Sequence, residues 1–337
     1  MNILLTSVGR RAYMVKYFKN VLDGNGEVHV CNSDDKTVAF HYADKAVISP
    51  LIYDENYIPF LLKYCKENKI DILLSLFDID LPILSRNKDK FTQIGTRVIV
   101  SDLEIVEICN DKWKTYEFLK KNGFNVPKTY LTLEDTINAI DRGEINYPII
   151  VKPRFGCGSI AMSIAEDEMA LLYYFRRNTR TINKSYLKYE SQNVDDKIIY
   201  QEYLDGQEYG ADIINDLSGK LQSVIVKKKI AMRAGETDIA QIVDSPEITK
   251  ELSRLGNLTG HIANMDVDVF LVDGKPYVLE MNARFGGGYP FSHMAGCDLP
   301  KAIVAWHNGK IVNEEELTAA AGEVGYKELF ITRIGEE

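Results

Sequence analysis

Positive charge is in deficit: 40 Lys plus Arg face 49 Asp plus Glu, a formal net charge of −9. That balance argues against broad electrostatic binding to nucleic acid or to an anionic membrane, so any local cluster of cations has local work. Cysteine is scarce as well. The five (Cys31, Cys65, Cys109, Cys157 and Cys297) are odd in number, far apart and free of any C-x-x-C pair. Neither a disulfide framework nor a zinc knuckle is indicated, and a reducing cytoplasm fits best. The five histidines lack the i, i+4 pairing that holds zinc on a helix. No run approaches the roughly 18 apolar residues of a membrane span, and the opening MNILLTSVG has no basic n-region, so neither a span nor a signal peptide is expected. Internal repeats and low-complexity linkers are missing too. What is there is a 337-residue chain of soluble globular composition, with room for two or three compact units.

Residues 1–109 alternate short apolar runs (2–8, 27–32, 45–49, 71–77 and 97–100) with amphipathic stretches such as 55–68. That pattern predicts an α/β unit, a small parallel sheet covered by helices. Its first loop, Ser7-Val8-Gly9-Arg10-Arg11, falls at the carboxyl end of a strand, where such sheets bind ligands, but lacks G-x-G-x-x-G. Arg10 and Arg11 there either meet an anionic substrate or are helix-start surface residues. A boundary is expected just before Lys112, where Asn110 or Asp111 caps a helix over 112–123 ended by Gly123 and Pro127. A second unit, 110–196, holds a strand at 147–153, the turn 154–159 and a strand at 160–165; its polar stretch 176–196 reads as a surface loop or an exposed helical connection. The third, 197–337, holds strands at 198–204, 208–214 and 221–232, a helix at about 246–263, a hairpin and a closing helix at 299–309.

The hairpin carries the strongest chemistry. Residues 266–272 (DVDVFLV) and 277–288 (YVLEMNARFGGG) place Asp268, Glu280 and Asn282, three hard oxygen donors, at the edge of apolar strands. A divalent cation carried on a nucleotide would compensate such carboxylates; a solvated edge hairpin with incidental acids is the bland alternative. Glu280 and Asn282 share a strand face, with Leu279 and Met281 on the other. A two-residue Asp273-Gly274 turn alone would set Asp268 opposite Leu279, so one extra residue is required, either a three-residue turn through Lys275 or a bulge. The turn Arg154-Phe155-Gly156-Cys157-Gly158-Ser159 is either a phosphate-covering lid or an ordinary tight hairpin; it is no Walker loop. Lys152 before it either reaches phosphate oxygens or snorkels to the surface. Residues 227–237 concentrate four cations on one strand, ending in Arg233 and Glu236. An anionic ligand explains that block, and a lysine-protected edge strand is the alternative.

Lys112, the K-P-R-F-G-C-G-S run from Lys152, the Glu202-Tyr203-Leu204 connector and the D-x(11)-E-x-N-x-R constellation from Asp268 to Arg284 occur in the order found in the ATP-grasp superfamily. The chain resembles a small, single-module relative of the carbamoyl phosphate synthase large subunit and of biotin carboxylase-type ligases, over nearly its whole length. The resemblance implies a pre-ATP-grasp α/β domain (1–109) followed by a two-subdomain grasp module divided near 196. It implies that Lys112, Lys152, Gly156, Gly158 and Ser159 contact ATP phosphates, that Glu202, Tyr203 and Leu204 hold adenine, and that Glu208 holds ribose. Asp268, Glu280 and Asn282 would bind two Mg2+ or Mn2+ ions. Asp268 stands where the family more often has Glu or Gln. Arg284 would steady the transferred phosphoryl group or the acyl phosphate, and Arg233 is a candidate catalytic residue in contact with substrate. Arg10, Glu236, Ser292 and His293 are candidates for substrate contacts.

The implied activity is that of an ATP-dependent carboxylate–amine ligase forming ADP through an acyl phosphate. The alternatives are a synthase-like bicarbonate or carbamate kinase with a separate glutaminase, and a nucleotide-binding regulator without turnover. Partners are then a small carboxylate and an amine, with a homo-oligomer possible.

Overall fold

The computed structural model describes residues 1–156 and 160–332. Gly158 and Ser159, both expected at the phosphates, lie outside the described residues. The N-terminal unit alternates β1 (Asn2–Thr6), α1 (Ala12–Leu22), β2 (Glu27–Asn32), β3 (Lys45–Ile48), α2 (Tyr57–Glu67), β4 (Ile72–Ser75), α3 (Asp80–Gln93) and β5 (Arg97–Ile99). Its five strands are all parallel in the order β3-β2-β1-β4-β5. Ile3, Leu5, Val28 and Val30 pack on α1, while Leu4, Leu73 and Val98 pack on α2 and α3. Both faces are covered, which is why these strands read as unbroken apolar runs.

Two helices, α4 (Leu103–Asn110) and α5 (Lys112–Lys121), lead out of this sheet. Of the two expected caps, Asp111 serves: its carboxylate accepts from the Trp113 amide at 3.0 Å. Next come β6 (Thr129–Tyr130), α6 (Leu133–Asp141), β7 (Ile149–Pro153), β8 (Ser163–Ala165), α7 (Glu168–Lys184), α8 (Leu187–Glu190) and β9 (Ile198–Glu202). The strands form an antiparallel sheet, β6-β9-β7-β8, with its own core of Ile149, Val151, Leu171, Ile182, Leu187 and Tyr200. The polar stretch 176–196, read as a loop or exposed connection, is helical in its first half. Asp167 caps α7, and widely spaced Leu171, Asn178 and Ile182 bury one narrow stripe. Because β9 pairs with β7, the sheets divide between Glu202 and Gln207 rather than at 196/197.

The third sheet comprises β10 (Gln207–Asn215), β11 (Leu221–Arg233), β12 (Glu236–Ile242), β13 (Ala263–Val272), β14 (Lys275–Asn282) and β15 (Val324–Tyr326), with α9 (Pro246–Thr259), α10 (Tyr289–Met294) and α11 (Leu299–His307) alongside. Its order is β14-β13-β10-β11-β12-β15. The cationic strand ends at Arg233: Ala234 and Gly235, at φ 49° and 79°, turn the chain into β12, so Arg233 and Glu236 face each other across a hairpin. One face of this sheet is apolar, with Ala211, Ile213, Val226, Val267, Val269, Val278 and Met281 packed on α9 and α5. Ile214, Ile225 and Ile242, on three interior strands, join the core of the N-terminal sheet, which fuses the first and third units.

Candidate active site

The opposite face of the six-stranded sheet is charged. Glu208 and Asp212 on β10, Lys227 and Lys229 on β11, Asp266 and Asp268 on β13, and Glu280 and Asn282 on β14 alternate with the apolar set, as period-two geometry requires. The hairpin turn has two residues, Asp273 and Gly274, both at positive φ (48° and 73°), and Val272 pairs with Lys275. The extra residue is supplied by a bulge: Asp268 faces Glu280, whereas Val269 faces Val278. Leu279, expected on the far face, therefore lines the cavity beside Glu280.

Between this charged face and the four-stranded sheet lies a cavity of about 590 Å³. Ile150, Ile164, Leu204, Met232, Phe270 and Leu279 give it an apolar slot. Lys112, Lys152, Gly156, Glu202, Tyr203, Leu204, Glu208, Glu236, Asp268, Glu280, Asn282 and Arg284 all border it. Four expected residues do not. Arg233 turns outward to Asp238 at 2.6 Å and the Tyr326 hydroxyl at 2.8 Å. The Arg10 side chain is 82% exposed and 3.8 Å from Glu236. Ser292 is buried in α10, donating to Asp212 at 2.5 Å, and His293 stacks on Tyr17 at 3.7 Å. Arg11, rather than Arg10, reaches the cavity.

Most charges on the lining are held by an opposite one, whereas Lys152 donates to the neutral Gln201 at 2.9 Å. Lys229 Nζ donates to Glu208 and to Asp268, both at 2.6 Å. Lys112 Nζ lies 3.4 Å from Glu280 and donates to the Gly156 carbonyl. Lys227 is paired with Asp212 on the same face. Arg284 donates from Nη1 to Asp266 at 2.8 Å and from Nε and Nη2 to Asp78 at 3.1 and 3.0 Å. The backbone of Lys112 is tied to the turn after β7 by its N–H to the Arg154 carbonyl at 3.0 Å, and Arg154 grips Asp111 at 2.8 and 2.7 Å.

These surroundings shift the titration of several groups. Burial lowers Lys152 to about 8, with Glu280 pulling it up and Lys112 pushing it down. Burial also raises Asp268 to about 6; Lys229 opposes this, while Asp266, Glu208 and Glu280 add to it. Asp266 is pushed up by burial but pulled further down by Arg284 and Lys227, and ends below the usual carboxylate range. Among the described residues no three His, Cys, Asp or Glu groups form a ready metal cage. The donor set of two carboxylates and one amide is nonetheless hard and oxygen-based, and Asp268, raised chiefly by burial, stands among the carboxylates of Asp266, Glu208 and Glu280. Both features suit a divalent cation that completes its coordination with ligand oxygens.

Sequence reasoning missed Lys229, Asp266 and Asp78. Period-two alternation from Asp268 picks out Asp266, and the same alternation within 227–229 picks out Lys227 and Lys229. Nothing in the sequence links Asp78 to Arg284.

Comparison with known proteins agrees with this architecture. Residues 109–288 match the ATP-grasp domain and residues 3–99 match the PylC-like N-terminal domain. The carbamoyl phosphate synthase large chain of Clostridium acetobutylicum is 25% identical over 304 residues, which cover 85% of this chain and 26% of that relative. The chain thus spans about a quarter of the curated relatives it matches. Among solved structures, the biotin carboxylase domain dimer of Hydrogenobacter thermophilus 2-oxoglutarate carboxylase, with MgADP, ADP and bicarbonate, superposes with a TM-score of 0.73 at 16% identity. That match covers 94% of this chain and 72% of that one. The Staphylococcus aureus N5-carboxyaminoimidazole synthetase, complexed with ADP, gives 0.70 at 16%, covering 93% and 78%. By the family match over more than half its length, this chain belongs to the ATP-grasp family.

Proposed function

We propose that this chain is an ATP-dependent ligase that converts a small carboxylate into an acyl phosphate, with release of ADP, and passes the acyl group to an amine. The observation that carries the reading is the gathering around one cavity of two lysines, Lys112 and Lys152, and three hard oxygen donors, Asp268, Glu280 and Asn282, beside an apolar slot. Lys112 and Lys152 hold the phosphates, Glu202 to Leu204 border the base, and Glu208 accepts from ribose hydroxyls. Asp268, Glu280 and Asn282 hold Mg2+ or Mn2+, expected as two ions. The metal, when bound, offsets charge on the β- and γ-phosphate oxygens.

A substrate carboxylate oxygen attacks the γ-phosphorus in line, and the bond to the β-bridging oxygen breaks as ADP leaves. Arg284 steadies charge on the transferred group. The amine then attacks the acyl carbon, expels inorganic phosphate and loses a proton. The walls contributed by β7 and β8 keep water from the intermediate. Glu236 and Arg11 border the cavity where they can orient the acid or the amine. A bicarbonate-phosphorylating variant of the same chemistry is favoured by the likeness to carbamoyl phosphate synthase large chains.

The test is ADP formation with MgATP against pooled carboxylic acids, with and without pooled amines including ammonia. Release that needs one acid and one amine supports the ligase. Release with bicarbonate alone moves the synthase-like variant forward, and tight MgADP binding with no turnover under any mixture refutes both in favour of a regulator.

A further inference from the structure

Arg284 borders the cavity, yet the group that grips it most fully comes from the first unit of the chain. Asp78 follows β4 at the carboxyl edge of the parallel sheet and is 6% exposed. Its Oδ2 accepts from Arg284 Nε at 3.1 Å and Nη2 at 3.0 Å, and its Oδ1 lies 3.0 Å from Nε. The Asp78 carbonyl accepts from Asn110 Nδ2 at 3.2 Å, which anchors the loop itself. Two residues before it, the Leu76 carbonyl accepts from Arg11 Nη1 at 2.6 Å, and the same nitrogen donates to the Phe285 carbonyl at 2.9 Å. One edge of the N-terminal sheet therefore holds both the Arg284 guanidinium and the backbone just beyond it. Arg284 and Arg11 border the cavity; Asp78 is not among the residues that line it.

We propose that Asp78 is a positioning residue for phosphoryl transfer, fixing the plane of the Arg284 guanidinium so that its cavity-facing edge meets the transferred group. The inference rests on the ligase reading above. A two-nitrogen grip by a buried carboxylate sets the orientation of a guanidinium as well as its place. Misplacement of a catalytic group by about 1 Å costs on the order of 100-fold in rate. Charge gives the inference a distinctive signature. Removing the Asp78 charge takes away one of the carboxylates that offset Arg284, so an anionic nucleotide is held as well or better while turnover falls. A merely structural role would weaken both together.

The experiment compares the full chain with Asp78→Asn and Asp78→Glu, using MgADP titration, ADP release with the acid and amine that support the unaltered chain, and thermal melting. Asp78→Asn is expected to lower kcat on the order of 100-fold with MgADP affinity unchanged or tighter. Asp78→Glu, which keeps the charge on a longer arm, is expected to recover about tenfold of that loss. If Asp78→Asn does not fold, Asp78→Glu carries the same comparison, with kcat lowered and MgADP affinity retained. Asp78→Asn combined with Arg284→Lys is expected to be no slower than Arg284→Lys alone, since the first acts through the second. Turnover within twofold of the unaltered chain, affinity lost in parallel with kcat, or additive effects in the double variant would each overturn the proposal. A chain that neither binds MgADP nor releases ADP refutes the ligase reading and this inference with it. An active chain indifferent to Asp78 refutes the inference alone.

Discussion

Replacing Lys152 by Met is expected to separate the stability of the protein from the hold on phosphate proposed above. Lys152 is 8% exposed; its ammonium donates to Gln201 Oε1 at 2.9 Å and is lowered by burial from 10.5 to about 8. A shift of that size corresponds to about 3 kcal/mol against carrying the charge at neutral pH. The folded protein binds this proton less tightly than the unfolded chain. The cost is therefore fully present below about pH 8, and stability recovers as pH rises from there toward the unfolded value. Methionine fills a similar space without the charge and gives up one hydrogen bond worth about 1 kcal/mol, which leaves a net gain of about 2 kcal/mol. For a chain of this size that is a rise of roughly 3 °C in Tm. The assay is thermal melting at pH 7 and pH 10, with and without MgADP. Lys152→Met is expected to melt higher than the unaltered chain at pH 7, to lose most of that advantage at pH 10, and to respond weakly or not at all to MgADP. A lower Tm at pH 7, an advantage undiminished at pH 10, or a full MgADP response would refute the reasoning.

Glu280→Gln is expected to abolish metal-dependent ADP release while leaving binding of the adenine end largely intact; unchanged ADP production in that variant sinks the metal assignment. Gly286→Ala would bring a Cβ within 2.1 Å of the Asp266 carboxylate, which Arg284 holds at 2.8 Å, so a loss of about 1–3 kcal/mol and a more than tenfold drop in kcat are expected. Melting and turnover measured on the same preparation check it, and normal turnover would show that the Asp266–Arg284 pair is dispensable. Tyr53 donates to Glu190 at 2.8 Å and stacks on Tyr189 at 4.5 Å, docking α8 on the N-terminal unit. Tyr53→Ala is expected to speed proteolysis between residues 185 and 196 several-fold with a stability loss of about 1–2 kcal/mol, and unchanged cleavage kinetics would show that the contact does not dock the helix.

The parts of this molecule legible in sequence are those written by local periodicity. The unbroken apolar runs of the first unit became a parallel sheet, and the two-residue spacing of Glu280 and Asn282 put them on one face. The extra residue of the hairpin was legible as a need but not in place. A Leu-Glu pair carries no mark of a bulge, and Asp273-Gly274 satisfies a two-residue turn by itself. The helix at 168–184 was hidden because its buried stripe is only a few residues wide on an otherwise polar cylinder. The hairpin after Arg233 was hidden because Ala234-Gly235 is a weak turn signal, and that one omission carried Arg233 into the expected site and out of the observed cavity. The Asp78–Arg284 contact joins positions on different sheets, and only the fold brings them together.

One consequence of the pairing bears on how a nucleotide enters. Lys112 is held against Glu280, and Lys229 against both Asp268 and Glu208, so one lysine proposed for phosphate and the two carboxylates proposed for metal already have partners of opposite charge, while Lys152 donates to the neutral Gln201. A phosphate that takes Lys112 away from Glu280 leaves an unpaired carboxylate facing it in a poorly solvated cavity, a repulsion worth several kcal/mol in order of magnitude. A cation that takes the carboxylates without phosphate leaves buried lysines unpaired in the same way. Only a ligand carrying both signs exchanges every internal pair for an external one. On the proposed assignment, the charged face of the sheet would favour metal–nucleotide over either component by the partners it would otherwise strand. That selectivity would come from Glu280, Asp268, Glu208 and Lys229 on four adjacent strands, three carboxylates side by side and then one lysine, a pattern fixed by strand register.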